Sequence, residues 1–178
     1  MKNSQIITTF LLLFVLSCKK IELTSPEDNE QITTIKLKFT EQGTSLENVF
    51  VVIDPDGDGP KPISKLDKIV LNPNKNYDFS IEILDETKNP VESISDVIEI
   101  EKEEHLFIYT SNPASLLVFK ITDKDDKNLP VGLKATVKTG SAGTGTLKVQ
   151  LRHQPGVKDG TPIPGSDDIN QDFQVEIK

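Results

Sequence analysis

Two histidines, His105 and His153, are the side chains of this sequence best suited to bind a metal ion. His105 follows a glutamate-rich stretch and begins the predicted strand HLFIYT, whereas His153 ends the predicted strand TLKVQLRH. The beginning of one strand lies beside the end of its antiparallel neighbour. We therefore expect the two imidazoles to meet at one rim of the fold with Glu103 or Glu104, a ligand set that suits Zn²⁺ or Cu²⁺. The alternative is that Glu104 or a backbone carbonyl fixes each ring for packing alone.

The loop DPDGDG, residues 54–59, has the spacing of a calcium-binding loop. Asp54, Asp56 and Asp58 alternate along it, and a glycine occupies the sixth position, where a sharp bend is needed. An EF-hand also requires an acidic residue at position twelve, where this chain has Lys65, and prolines exclude the helix that would follow. A looser Ca²⁺ site closed by distant residues is one hypothesis. An acidic surface turn, in which Asp and Gly serve the turn itself, is the other.

The only cysteine of the chain, Cys18, ends an apolar run that begins at Ile6. The run is shorter than the roughly 20 residues that a membrane-spanning helix needs, and it follows a basic residue as in a secretory signal. It ends in VLSC, with an aliphatic residue three positions before the cysteine and a small residue just before it, which is the pattern of a lipobox. We predict a lipoprotein signal peptide over residues 1–17 and acyl chains on Cys18 that anchor the protein to a membrane. The alternative is an ordinary signal peptide followed by a free cysteine.

Composition excludes several classes of function. The 178 residues include 20 basic and 28 acidic side chains, a net charge of −8, which argues against nucleic acid as a partner. A single cysteine within a lipobox leaves neither a disulfide nor a thiol nucleophile for the folded body. No G-x-S-x-G, H-E-x-x-H or phosphate-binding loop is present, so we predict that the protein is not an enzyme.

The remaining chain divides into a polar tether over residues 18–31 and a single domain over residues 32–178. From Ile32 onward, alternating or wholly apolar segments of five to eight residues are separated by turns rich in Asn, Asp, Pro and Gly. About eight or nine such strands predict an all-β fold, an antiparallel β-sandwich of the immunoglobulin-like or a related Greek-key type. At most one short helix is expected, within residues 91–100, where Val91, Ile94 and Ile98 are near helical spacing.

Several segments together resemble small envelope lipoproteins of Bacteroidota. They are the lipobox and the stretches ITTIKLKF, DPDGDGP, EKEEHLFIY, DKNLPVGL, GTGTLKVQLRHQP and DDINQDFQVEI. Some proteins that this chain resembles are labelled "type 1 periplasmic binding fold superfamily protein" and are associated with TonB-dependent outer-membrane receptors. The resemblance implies an accessory to the uptake of a metal or metal complex, with such a receptor as partner. That label also implies two lobes of parallel strands and helices, whereas the strand pattern predicts a sandwich.

These observations predict a non-enzymatic lipoprotein of the bacterial cell envelope that binds a ligand or metal. The residues after Cys18 are KKIE rather than the acidic cluster found in some surface-displayed lipoproteins. We therefore expect an outer-membrane protein that faces the periplasm. The alternative function is a structural or protein-interaction β-sandwich with no small ligand. An envelope hydrolase is a third hypothesis, which would need a cleft with paired carboxylates or a histidine-activated nucleophile.

Overall fold

Two β-sheets and one short helix make up residues 30–57 and 59–178, the part of the chain that the computed structural model describes. Cys18, the predicted signal peptide, most of the predicted tether and Asp58 lie outside these residues. In chain order the elements are β1 (Thr34–Glu41), β2 (Glu47–Ile53), β3 (Lys65–Leu66), β4 (Ile69–Leu71), β5 (Asn76–Asp85), β6 (Glu92–Ser93), α1 (Ile94–Ile100), β7 (His105–Asn112), β8 (Leu117–Ile121), β9 (Lys134–Thr139), β10 (Gly143–His153) and β11 (Ser166–Ile177).

The first sheet has the strand order β3-β2-β1-β5-β9-β8, and β6 pairs with β5 at one end. The alternation in β1 shows why these residues form a half-buried strand. Leu37 and Phe39 are fully buried, whereas Lys36 and Lys38 point outward and both form ion pairs with Glu82 of β5. One face of the sheet is thus apolar and the other charged, as expected for a sheet packed on one side.

The second sheet has the order β4-β11-β10-β7 and covers the apolar face of the first. Residues from both sheets form one hydrophobic cluster, which includes Phe39, Phe79, Phe107, Leu151 and Phe173. Phe39 and Phe79 contact each other edge to face, with ring centroids 4.9 Å apart. This arrangement confirms the predicted all-β sandwich.

The structure differs from the prediction in strand number and in one pairing. The described residues contain eleven strands rather than eight or nine. The sequence did not reveal β3 and β6, because they are only two residues long and carry no readable alternation. The pairing of β4 with β11 is parallel, whereas all other pairings are antiparallel. No helix in the described residues is long and apolar enough to cross a bilayer.

Helix α1 lies in the segment where the sequence predicted at most one short helix. Ser93 caps its N-terminus by accepting a hydrogen bond from the Asp96 backbone N–H, and Ile94 and Ile98 are buried on one face. The helix ends at Ile100, and Glu101 is its C-cap. The short connection that follows brings the chain to the first residue of β7, which is His105.

Candidate metal centre

The two histidines face each other across neighbouring strands. Strands β7 and β10 are antiparallel, and His105 lies directly opposite His153 in their register. The imidazole rings are stacked, with centroids 4.8 Å apart and an interplanar angle of 3°. The beginning of β7 and the end of β10 therefore bring both rings to the same rim of the sandwich.

His105 is held as a neutral ring with one nitrogen available for binding. The side chain is 1% exposed, and its Nδ1–H donates a hydrogen bond to the carbonyl of Glu101, 3.1 Å away. This bond leaves the lone pair on Nε2, an atom that has no hydrogen-bond partner among the described residues. Burial lowers the pKa of His105 to about 4, so the ring is neutral at physiological pH. Metal-binding histidines commonly donate their other N–H to a backbone carbonyl in this way.

A third donor, Asp168, is supplied by an irregularity in the last strand. The register of β10 and β11 shifts between Leu151 and Arg152: Leu151 pairs with Ile169, but Arg152 pairs with Asp167. Asp168 is therefore the extra residue of a β-bulge, a feature that redirects side chains. Its side chain is fully buried, and its Oδ2 lies 3.9 Å from Nε2 of His105.

The donors of His105, His153 and Asp168 all lie within 4.8 Å of one another. Ligands held at about 2.1 Å from one ion are at most about 4.2 Å apart, so binding requires only a small contraction. Parallel rings direct their lone pairs side by side, and one ring must tilt to share an ion. His153, with 20% of its side chain exposed, is freer to do so than His105.

Two more carboxylates lie close to the pair. Donor atoms of Glu30, Glu101 and His105 form a second group within 4.8 Å. Burial raises the pKa of Glu30, and the negative charges of Glu101, Asp168 and Glu92 raise it further. A cavity of about 210 Å³ opens beside them, and both Glu30 and Asp168 line it. The rim is therefore rich in carboxylates as well as imidazoles.

Of the two glutamates predicted to join the histidines, Glu104 lies near His153 and Glu103 does not. Glu104 lies near His153, with 3.9 Å between its Oε2 and the ring Nε2, but its side chain is 43% exposed. Glu103 forms an ion pair with Lys127, 3.1 Å away, and is not brought to the histidines. Asp168 is the carboxylate that lies closest to the buried ring.

The aspartates of the predicted calcium loop contribute to a turn. Oδ2 of Asp56 accepts a hydrogen bond from the backbone N–H of Lys61, and the backbone carbonyl of Asp54 accepts one from Gly57. Lys65 forms an ion pair with Asp67. With Asp58 outside the described residues, the calcium hypothesis stays a prediction.

The loop over residues 154–165 is fastened beside the histidines by a buried ion pair. Nζ of Lys158 lies 2.9 Å from Oδ2 of Asp125, and it donates a hydrogen bond to the carbonyl of Lys102. Both charged side chains are at most 1% exposed. Burial alone would raise the pKa of Asp125, but Lys158 and the N–H groups of the turn outweigh it, and the pKa is lowered. The negative charge of Asp125 is thus compensated by the ammonium group of Lys158.

Sequence reasoning missed Asp168, Glu30 and Glu101 as neighbours of the histidines. Asp167 and Asp168 are adjacent in the sequence, and the alternation of β11 does not reveal which of the two points inward. Glu30 falls within the predicted tether, 75 positions before His105 in the numbering, and no local pattern connects them. Glu101 lies in the glutamate-rich stretch before His105. No helix or strand was predicted there, so the spacing of the residues does not show which way each side chain points.

Two imidazoles and one carboxylate form a set of borderline donors suited to a first-row transition metal. Comparison with protein-family models, curated proteins and solved structures gives no match to this chain. The functional argument is therefore carried by the geometry of the site.

Proposed function

We propose that this protein is a lipid-anchored protein of the bacterial envelope that binds a borderline divalent metal ion, Zn²⁺ or Cu²⁺. His105, His153 and Asp168 would hold the ion, and the protein would act without catalysis as an accessory to outer-membrane uptake. The observation that carries the proposal is the cross-strand imidazole pair with a buried carboxylate at its side.

The donor types support this choice of ion. Ca²⁺ and Mg²⁺ bind oxygen ligands almost exclusively, whereas imidazole nitrogen favours Zn²⁺, Cu²⁺ and related metals. The fixed tautomer of His105 supports it further, because a ring that is already neutral and oriented needs no proton release before binding. A ring buried only for packing has no need of a free nitrogen directed at a carboxylate.

The proposed location is supported by the lipobox VLSC and the polar stretch that follows it. Acyl chains on Cys18 would hold the domain at a membrane, and the absence of an acidic cluster after the cysteine favours the periplasmic face. A TonB-dependent receptor is the partner that the resemblance in sequence suggests.

Thermal unfolding of the full chain in detergent tests the metal site. The protein is treated with a chelator, dialysed, and heated with no ion or with Zn²⁺, Cu²⁺ or Ca²⁺. An ion that binds only the folded state stabilises it by RT ln(1 + [L]/Kd), about 2.7 kcal/mol at 100 times Kd. For a domain of this size we expect a rise in Tm of about 5 to 10 °C with Zn²⁺ or Cu²⁺.

Matched variants identify the ligands. Asp168→Asn keeps the shape of the side chain, and His153→Gln changes a partly exposed ring, so both should fold. We expect each to abolish most of the Zn²⁺-dependent rise, whereas Glu103→Gln should leave it unchanged. A rise that survives in both variants would contradict the proposed site. The absence of a rise with any ion in the wild type would favour the protein-interaction module instead.

A further inference from the structure

Glu30 is the first described residue of the chain, and it lies beside the metal centre rather than away from it. Its carboxylate is within 4.8 Å of a ring nitrogen of His105 and of the Glu101 carboxylate. It also lines the same cavity as Asp168. The segment that leads into β1 thus begins next to the proposed ligands.

Glu30, Glu101 and Asp168 concentrate negative charge at one rim of the sandwich. Among the described residues, neither Glu30 nor Glu101 forms an ion pair with a lysine or arginine. Carboxylates that share a site repel one another unless a cation or a proton lies between them. The arrangement of charge therefore favours a cation at this position.

A second, independent feature points to the same place. Nε2 of His105 is buried, has no hydrogen-bond partner in the described residues, and lies on the side of the ring that faces Asp168. An unpaired imidazole nitrogen that faces a carboxylate is a suitable donor for a borderline metal ion. Glu30 approaches the same imidazole, because its carboxylate lies within 4.8 Å of one of the two ring nitrogens of His105.

We propose that Glu30 is a fourth ligand of this ion, and that binding of the ion fastens residues 30–33 to the sandwich. This inference rests on the proposed metal site. Two histidines and two carboxylates would complete a four-coordinate shell of the kind that Zn²⁺ adopts. The residues that follow are already held, because Gln31 donates a side-chain hydrogen bond to the Asp56 carbonyl and the Thr33 N–H donates to the Leu84 carbonyl.

The consequence concerns the junction between the predicted tether and the domain. With the ion bound, the chain would leave the sandwich at Glu30, directly at the metal centre. Without it, like charges would push Glu30 away and the junction would move toward the first strand. Metal occupancy would therefore set the point at which the membrane-anchored segment meets the folded body.

Isothermal titration of the full chain in detergent with Zn²⁺ tests whether Glu30 is a ligand. Absorption with Co²⁺ as a probe reports the ligand set, since its visible bands change with the number and type of donors. The variant is Glu30→Gln, and the matched control is Glu47→Gln. Glu47 is exposed and begins β2, where it pairs with Thr40 near the end of β1, whereas Glu30 precedes the beginning of β1. Amide hydrogen exchange of residues 31–33, with and without Zn²⁺, measures the fastening.

We expect Glu30→Gln to raise the Kd for Zn²⁺ at least about tenfold and to change the Co²⁺ spectrum, and Glu47→Gln to do neither. Zn²⁺ should slow exchange at residues 31–33 in the wild type but not in Glu30→Gln. Unchanged binding and spectrum in Glu30→Gln, together with lost binding in His153→Gln, would overturn this inference and leave the metal site standing. Exchange that does not respond to Zn²⁺ in the wild type would overturn the fastening. No Zn²⁺ binding by the wild type would overturn both proposals.

Discussion

His105 combines three properties that suit a metal ligand. It is buried, it has a fixed tautomer, and its remaining nitrogen faces a carboxylate at 3.9 Å. Burial also removes it from the usual range of titration, since its pKa falls from 6.5 to about 4. These properties give the metal-free protein a pH dependence that can be measured without any metal.

Lowering the pH from 7.5 to 4.5 should destabilise the metal-free wild type more than the metal-free variant His105→Phe. In the unfolded state His105 binds a proton below about pH 6.5, whereas in the folded state it binds one only below about pH 4. The free energy of unfolding therefore falls across this window, by up to about 3 kcal/mol, and is unaffected by this group above it. Urea unfolding of both proteins in the presence of a chelator measures the difference. Equal losses of stability in the two proteins would contradict the buried, neutral state of His105.

The sequence predicted the part of the site that lies at the ends of regular strands, and it did not predict the part that depends on irregular segments. The proximity of His105 and His153 followed from alternation and strand direction, which fix the face and the end of each strand. Asp168 depends on a bulge in β11, and a bulge changes the face of a residue without changing the pattern around it. Glu30 depends on where a polar segment with no periodicity happens to lie. Local pattern thus predicts sheet partners well and irregular neighbours poorly.

Gly165, which precedes β11, should not tolerate a side chain. Its φ is +82°, and a Cβ there would lie 1.8 Å from the carbonyl oxygen of His153. Gly156 in the same loop has a similar φ of +69° but nothing within 4 Å of the same position. We expect Gly165→Ala to cost more stability than Gly156→Ala, which should lose about 1 to 2 kcal/mol for the left-handed backbone alone. Urea unfolding of both variants gives the comparison.

Gly165→Ala should also weaken Zn²⁺ binding, because relief of the contact displaces the backbone of His153. Gly156→Ala should leave Zn²⁺ binding unchanged. Equal stabilities and equal affinities for the two variants would show that the close approach of Gly165 to His153 has no role in holding the site.

The membrane attachment proposed for the whole molecule depends on one residue outside the described part, Cys18. We expect Cys18→Ser to move the protein from the membrane fraction to the soluble fraction of the cell envelope, because acyl chains supply the binding energy of a lipid anchor. Ser17→Gly keeps a small residue before the cysteine and serves as the control, with normal attachment. Fractionation and mass spectrometry of the N-terminal peptide measure the result. A Cys18→Ser protein that remains in the membrane would contradict the lipobox interpretation.

The parallel pairing of β4 with β11 joins parts of the chain that are far apart in sequence. Lys68, which precedes β4, and Glu176, which lies within β11, form an ion pair across 108 positions of sequence. Strand β11 lies between β4 and β10, so β4 cannot be joined to β10 and β7 until β11 has been synthesised. Until then the apolar face of the first sheet has no complete cover, and contacts this distant are slow to form. The proposed metal centre includes Asp168 of β11, and it can therefore be completed only after the last strand has been synthesised.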